Sequence, residues 1–402
     1  MKLPWKVPLL LDGATGTQLM DAGMASDACP EQWVLEHPDV ITTVQHRYVL
    51  AGSDVLYTPT FGANRARLSD FGLGDKVIEL NKSLVELTIN TAKSSKRQVL
   101  VAGGMSPTGL FPAPWGETPF NVFEEIFSEQ ATALYEAGVD LLVCETMTNL
   151  TEARAALLAA RNTGLPVIVT FTIDKNGRTM SGARLLPCVI TLQSLGAAAV
   201  GLNCSEGVTA MAKPLAEALP HAAVPLVAKP NAMDSQGELS PLRFGQEMQM
   251  LLDAGAVIVG GCCGTTPEHI AVLRGAVDNH PLVVPREIDI NAVAVESEAF
   301  FIDDNIEFCE PIPCDSDLAQ RLIEAEDCSN AALLQISCQG DVDNLIEFGG
   351  MSRLPIALHT DNAVLLDDAL HRFTGRLIVD SLCEIERPLL EDIASKYGAV
   401  VF

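Results

Sequence analysis

Ala254-Gly255-Ala256-Val257-Ile258-Val259-Gly260-Gly261-Cys262-Cys263-Gly264-Thr265-Thr266-Pro267-Glu268-His269-Ile270 contains one complete copy of the unit from which the first part of the chain is built. Gly255 stops the preceding helix in a left-handed cap. The apolar run Val257–Cys263 reads as a strand buried on both faces. Thr266 caps a helix whose first residue is Pro267. The same order of helix stop, apolar run, small polar turn and helix recurs through about residue 280. The other strand candidates are Pro8–Ala14, Asp54–Phe61, Val99–Met105, Asp140–Thr146, Pro166–Ile173, Ala199–Ser205 and Pro225–Asn231. Ala51-Gly52-Ser53 and Ala137-Gly138-Val139 repeat the helix stop before the second and fourth. Eight such units predict an α/β fold, a closed parallel (β/α)8 TIM barrel. A doubly wound open sheet is the alternative, disfavoured by eight consecutive parallel strands.

In a barrel of this kind the active groups lie where strands run into the following loops. Those junctions read Asp12-Gly13-Ala14-Thr15-Gly16-Thr17, Thr60-Phe61-Gly62-Ala63-Asn64, Gly104-Met105-Ser106-Pro107, Glu145-Thr146, Asn203-Cys204-Ser205, Lys229-Pro230-Asn231 and Gly260-Gly261-Cys262-Cys263-Gly264. Neighbouring strand residues point to opposite faces, so Cys262 and Cys263 share a metal only where the strand has ended. The flanking glycines give the backbone that freedom. Cys204, two strands away, is the preferred third ligand. Cys144 is set aside because it alternates with Glu145: if Glu145 faces the lumen, Cys144 faces the helices.

Three cysteines leave one corner of tetrahedral zinc open, which marks a catalytic site. A structural zinc with four cysteines and plain packing of the Cys-Cys pair are the competing readings. A thiolate-rich zinc is a poor activator of water, but it holds a substrate thiol as thiolate at neutral pH, although a free thiol has a pKa of about 8.5. The chemistry that suits it is attack of a thiolate on an electrophilic carbon.

Composition narrows the class. The chain has 402 residues, 48% hydrophobic and 19% charged, so a barrel plus a smaller domain fits and long disordered tracts do not. A net charge of −26 repels phosphate backbones and anionic lipid, so neither nucleic acid nor a membrane is expected as partner. No targeting segment is seen, and a cytoplasmic location with reduced thiols is expected. With eleven cysteines a disulfide framework is not expected. Cys144, Cys188, Cys338 and Cys383 read as small buried hydrophobes, and Cys309 and Cys314 as loop thiols.

Asp12-Gly-Ala-Thr-Gly-Thr17, Gly201-Leu-Asn-Cys204 and Gly260-Gly-Cys-Cys-Gly-Thr-Thr-Pro-Glu-His-Ile270 together resemble the signatures of the homocysteine S-methyltransferase family over about residues 8–280. The resemblance implies a zinc held by Cys204, Cys262 and Cys263, and transfer of a methyl group to homocysteine to give methionine. It also implies that Asp12 and Glu145 meet the substrate ammonium, and that backbone amides of Gly13, Ala14, Thr15 and Gly16 meet its carboxylate. Asn231 would lie beside the metal. The stretch Thr60–Asn64 is similar to the methionine synthase version; the betaine version has a further aromatic residue there. A methylcobalamin donor is therefore expected. No Asp-x-His-x-x-Gly cobalamin loop is present, so the corrinoid would arrive on a separate protein. S-methylmethionine or betaine as donor, another thiol acceptor, and a non-catalytic metal-binding adaptor subunit are the alternatives.

Residues 1–285 are expected to form the barrel. Residues from about 281 to 296 read as a linker, and 297–402 as a smaller C-terminal α/β domain. Its strand candidates are Phe300–Ile302, Ala331–Ser337, Leu354–His359, Arg376–Asp380 and Ala399–Phe402. Leu365–Phe402 faintly resembles part of a pterin-binding barrel but is too short to complete one. Docking or homo-oligomerisation is the expected use.

Overall fold

A computed structural model of the chain describes residues 3–234, 237–281, 291–303 and 305–402. The strands β1 (Leu9–Leu10), β2 (Val55–Tyr57), β3 (Leu100–Met105), β4 (Leu141–Met147), β5 (Val167–Phe171), β6 (Ala199–Cys204) and β7 (Leu226–Pro230) are followed by a short antiparallel pair, β8 (Met233–Asp234) and β9 (Gly237–Glu238). Then comes β10 (Ala256–Val259), the eighth strand of the main sheet. That sheet is parallel throughout, in the order β1-β10-β7-β6-β5-β4-β3-β2. Asp54 closes the ring: its N–H donates to Leu10 O at 2.6 Å and its carboxylate accepts from Leu10 N–H at 2.9 Å. This is the expected barrel.

Around it run α1 (Gly16–Asp21), α2 (Pro30–Glu36), α3 (Pro38–Ala51), α4 (Arg65–Ser69), α5 (Val77–Ser94), α6 (Phe120–Ala137), α7 (Leu150–Arg161), α8 (Leu185–Ser194), α9 (Val208–Ala218), α10 (Pro241–Asp253) and α11 (Pro267–Asn279). Strand parity separates two apolar layers. Leu9, Leu11, Val55, Leu100, Leu141, Val143, Ile168, Ala199, Val227 and Ile258 fill the lumen, and Leu3, Trp5 and Val7 pack beneath them. Leu10, Leu56, Val101, Leu142, Cys144, Val169, Leu202, Ala228 and Val259 belong to the layer shared with the helices.

Beyond the barrel lie β11 (Ala292–Ala294), β12 (Ala299–Phe301), β13 (Ile312–Pro313), α12 (Leu318–Ala325), β14 (Ala332–Gln335), α13 (Gln339–Phe348), β15 (Ile356–His359), α14 (Ala363–Arg372), β16 (Ile378–Val379), α15 (Arg387–Lys396) and β17 (Val400–Val401). Strands β13 to β17 form a second, parallel sheet in chain order. Phe300, Ile302, Ile306 and Phe308 pack with Leu333, Ala357, Ile378 and Val400 of that sheet. Arg154 of α7 is wholly buried, and its guanidinium donates to the last carbonyls of α14, Leu370 O and His371 O. Cationic donors complete orphan carbonyls at a helix C-terminus.

Several expectations need correction. Phe300–Ile302 is not the first strand of the second sheet; it overlaps β12, which pairs antiparallel with β11. The sheet begins instead at Ile312. The linker expected over 281–296 falls largely outside the described residues, and its described end, Ala292–Ala294, is strand rather than linker. Cys144, Cys188 and Cys314 are buried, so Cys314 is a core residue rather than a loop thiol. Cys338 is exposed at the N-cap of α13, and Cys383 is half-buried.

Candidate metal centre

Cys204, Cys262 and Cys263 converge at the C-terminal rim, with their Sγ atoms all within 4.8 Å of one another. The Cys204–Cys263 separation is 3.8 Å. Bonds of about 2.3 Å to a tetrahedral zinc place two sulfurs about 3.8 Å apart, so the trio fits the metal. Hydrogen bonds from the Cys204 and Cys262 thiols pull the Cys263 thiol well below its ordinary range, and Cys204, which donates, is pushed up. Among the described residues no other His, Cys, Asp or Glu group gathers ligand atoms this closely.

The loop carrying the pair is pinned at every residue. Strand β10 ends at Val259, earlier than expected, while the N–H groups of Gly260 and Gly261 still donate to Ala228 O and Asp12 O, each at 3.1 Å. A Cβ on Gly260 would lie 2.8 Å from Leu11 Cβ and 2.9 Å from Asp12 O, and one on Gly261 would lie 2.5 Å from Thr265 Oγ1. Close approach of backbone, not backbone freedom, is what these two glycines provide. Gly264 is different: its φ of 76° is a left-handed turn. Cys262 N–H donates to Pro230 O at 2.7 Å, and Cys263 O accepts from Ala232 N–H at 2.9 Å. Thr265 Oγ1 donates to Cys262 O at 2.7 Å. Helix α11 then starts with Thr266 as N-cap and Pro267 at its first position, as expected; His269 accepts from Thr266 N–H at 3.1 Å and anchors its other ring nitrogen on Leu239 O at 2.8 Å.

Asn231 ties the two ligand loops together. Its Oδ1 accepts from Cys263 N–H at 3.0 Å and its Nδ2 donates to Ser205 O at 2.9 Å. Both ends of the amide are thus engaged with the loops that carry the sulfurs.

Glu145 points into the lumen beneath the triad, and Cys144 points to the helices. Burial pushes the Glu145 carboxyl up to about 7, with Lys229 opposing and Cys262 and Asp12 adding to the rise. Asn203 Nδ2 lies 3.4 Å from Glu145 Oε2. Asp12 sits lower and is 1% exposed. Its Oδ2 accepts from Tyr57 N–H at 2.8 Å, and its Oδ1 faces Lys229 Nζ at 3.6 Å. In the Gly13–Gly16 loop the Ala14 N–H is committed to Thr265 Oγ1 at 2.9 Å. A Cβ on Gly13 would collide with Tyr48 at 2.6 Å, and Tyr48 OH donates to Ala14 O at 2.7 Å.

Lys229, Asn203, Tyr57 and Thr170 were not singled out from the sequence as site residues. Each stands an even number of residues after an inward apolar residue of its strand (Val227, Ala199, Val55 and Ile168), and that parity was the available signal.

Comparison with known proteins follows the same residues. The sequence model of the family described as Homocysteine S-methyltransferase matches residues 9–277. Methionine synthase from Mycobacterium leprae is 32% identical over 291 residues, 66% of this chain and 24% of the relative. Methionine synthase from Mycobacterium tuberculosis is 31% identical over 291 residues, 67% of this chain and again 24% of the relative. The chain thus spans about a quarter of the length of these relatives. Among solved structures, the metallated form of the homocysteine methyltransferase MmuM from Escherichia coli is similar, with a TM-score of 0.57 and 27% identity over 66% of this chain and 95% of that one. Its apo form gives a TM-score of 0.54 at the same identity.

Proposed function

Because the chain belongs to the homocysteine S-methyltransferase family, we propose that it methylates the thiol of homocysteine to give methionine at a zinc centre held by Cys204, Cys262 and Cys263. The observation that carries this reading is the cluster of three sulfurs within 4.8 Å at the rim of the barrel. When bound, zinc holds the acceptor sulfur as thiolate at neutral pH, and its thiolate ligands keep that sulfur electron-rich. The chain's own groups do the rest. Glu145 offers a carboxylate to the acceptor ammonium from inside the lumen. The backbone of the Gly13–Gly16 loop faces the carboxylate, with Gly13, Thr15 and Gly16 available where Ala14 is not. Asp12 sets the charge of the floor. Asn231 holds the Cys204 and Cys263 loops at fixed separation rather than offering its amide to the substrate.

The donor we favour is a methylated corrinoid protein supplied in trans. Phe61 is exposed in the turn four residues after β2 and is followed by Gly62, so the aromatic faces a betaine ammonium needs are not built there. S-methylmethionine stays as the second donor reading, supported by the likeness to MmuM. The residues after the barrel serve docking or oligomerisation in this proposal, supported by their fixed attachment through Arg154. A cytoplasmic setting suits free thiols at the site; among the described residues no helix is long and apolar enough to cross a membrane.

The test is direct. Zinc is counted in the purified chain with and without prior alkylation of its cysteines, then methylcobalamin, S-methylmethionine and betaine are each offered with homocysteine. One zinc per chain, lost on alkylation, with methionine formed from methylcobalamin is expected. Zinc that survives alkylation, or no methionine from any donor, overturns the proposal.

A further inference from the structure

The lumen contains a cation that a two-acid ammonium pocket does not call for. Lys229 is the penultimate residue of β7, at an inward position two residues after Val227, and is 5% exposed. Its Nζ lies 3.6 Å from Asp12 Oδ1 and 4.7 Å from the centroid of the Tyr57 ring. Burial lowers its pKa, but the neighbouring charges, Asp12 foremost, outweigh burial and leave it raised. Asp12 in turn has little else to meet. One carboxylate oxygen is taken by Tyr57 N–H, and the other is closed off from solvent and faces Lys229 Nζ. A ligand ammonium reaches Asp12 only by displacing Lys229. Glu145 differs on both counts: it is 9% exposed and has no cation at ion-pair distance among the described residues.

We propose that Lys229 is a specificity-determining residue: its own ammonium fills the place at Asp12 that a substrate amine would take, so that Glu145 alone reads the amine of the thiol acceptor. The Asp12–Lys229 pair becomes a fixed part of the floor. It also keeps a positive charge beneath Cys262, where an incoming thiolate adds negative charge. This rests on the acceptor reading above and deepens it: the acceptor class is a thiol whose amine is recognised by one carboxylate, not two.

Binding, which needs no methyl donor, tests it. The zinc-loaded full chain is titrated calorimetrically with homocysteine and with 4-mercaptobutyrate, which has the same thiol and carboxylate but no amine. The wild type is expected to prefer homocysteine at least tenfold. Glu145→Gln brings the two thiols within about twofold, and the double variant E145Q/K229M, in which Asp12 is freed to meet the amine, regains a preference for homocysteine of at least fivefold. Preference that survives Glu145→Gln overturns the assignment, as does an E145Q/K229M variant that retains zinc and still shows no preference. If the double variant does not fold, Glu145→Gln alone decides, because it leaves the ion pair intact. Thermal unfolding gives a second readout. Asp12→Asn and Lys229→Met each strand a buried charge and lower Tm, and the double variant D12N/K229M is expected to recover part of that loss; strictly additive losses overturn the pair. A wild-type protein that holds zinc but binds neither thiol overturns the acceptor reading itself, and this assignment with it.

Discussion

Replacing Asn203 by leucine tests how the rim is built. Asn203 is wholly buried on β6. Its Oδ1 accepts from Thr146 N–H at 2.8 Å and from the Thr170 hydroxyl at 2.9 Å, and its Nδ2 donates to Thr146 Oγ1 at 2.7 Å. Thr146 has φ of 62° and lies within a register shift between Cys144 and Met147 in the β4–β5 ladder. A β-branched residue in the left-handed region costs about 1–3 kcal/mol, and neighbours must hold it there. Leucine keeps the volume and removes the amide. The Thr146 N–H and Thr170 hydroxyl then lose their partners at about 1–3 kcal/mol each. Greater apolar burial offsets this by about 1 kcal/mol. The net loss expected for Asn203→Leu is therefore about 1–5 kcal/mol, read as a lower urea midpoint with an unchanged slope. Thr146→Gly added to that variant should restore about 1 kcal/mol, because glycine takes a positive φ without strain. Homocysteine should bind more weakly while zinc stays stoichiometric, since Glu145 loses its support and the sulfurs do not. A loss under about 1 kcal/mol, or no recovery with Thr146→Gly, would refute the view that Asn203 holds the bend.

Cys262→Ala removes one of three sulfurs and should abolish zinc retention; full metal content by mass spectrometry would refute the site. Glu145 should make stability depend on pH. Its folded carboxyl is raised from 4.5 to about 7, so its contribution is least unfavourable below the unfolded value and worsens as pH rises, up to about 7. Glu145→Gln should therefore gain stability relative to wild type across that window, on the order of 3 kcal/mol at its upper end; parallel stability curves would refute it. Arg154→Met leaves Leu370 O and His371 O without their donor in a buried contact, at a cost of about 2–4 kcal/mol. Faster proteolytic release of the C-terminal residues is expected, and an unchanged cleavage rate would show that they are held elsewhere.

The barrel was legible because parallel strands buried on both faces leave long apolar runs, and because glycine stops recur before them. Gly52, Gly138 and Gly255 do leave their helices with φ of 108°, 93° and 91°. Strand lengths were not legible. The runs Pro8–Ala14 and Val257–Cys263 are longer than the strands β1 and β10 they contain, although single backbone bonds such as Gly261 N–H to Asp12 O at 3.1 Å continue beyond the strand ends. Strand β11 was hidden among prolines and acids that read as linker, so Phe300–Ile302 was read as a strand without its antiparallel partner. Lys229 was visible as a residue but not as a site, since a lysine at a strand end reads as solvated until its parity is counted.

Parity also shows how far sequence logic reaches at the sulfurs themselves. It set Cys144 aside, correctly, because Cys144 alternates with Glu145 and packs in the helix-facing layer. The same counting applied to β6 gives Ala199 inward, Leu202 outward, Asn203 inward and therefore Cys204 outward. On parity alone Cys204 would be set aside as well. What separates the two is the backbone. Cys144 is followed by three further residues of its strand, whereas Cys204 is the last residue of β6 and has φ of 57°, with Ser205 at 61°. With Thr146, these are the three non-glycine residues in the left-handed region among those described. The turn swings the Cys204 sulfur off the helix-facing side and over the rim. Three bonds hold it there: Ser205 N–H to Thr172 Oγ1, Ile173 N–H to Ser205 Oγ, and Asn231 Nδ2 to Ser205 O. Strain is thus confined to the points where a side chain must leave the alternation of its strand, and polar neighbours hold it in place. A sequence shows which residue ends a strand; it does not show which way the backbone turns when the strand is over.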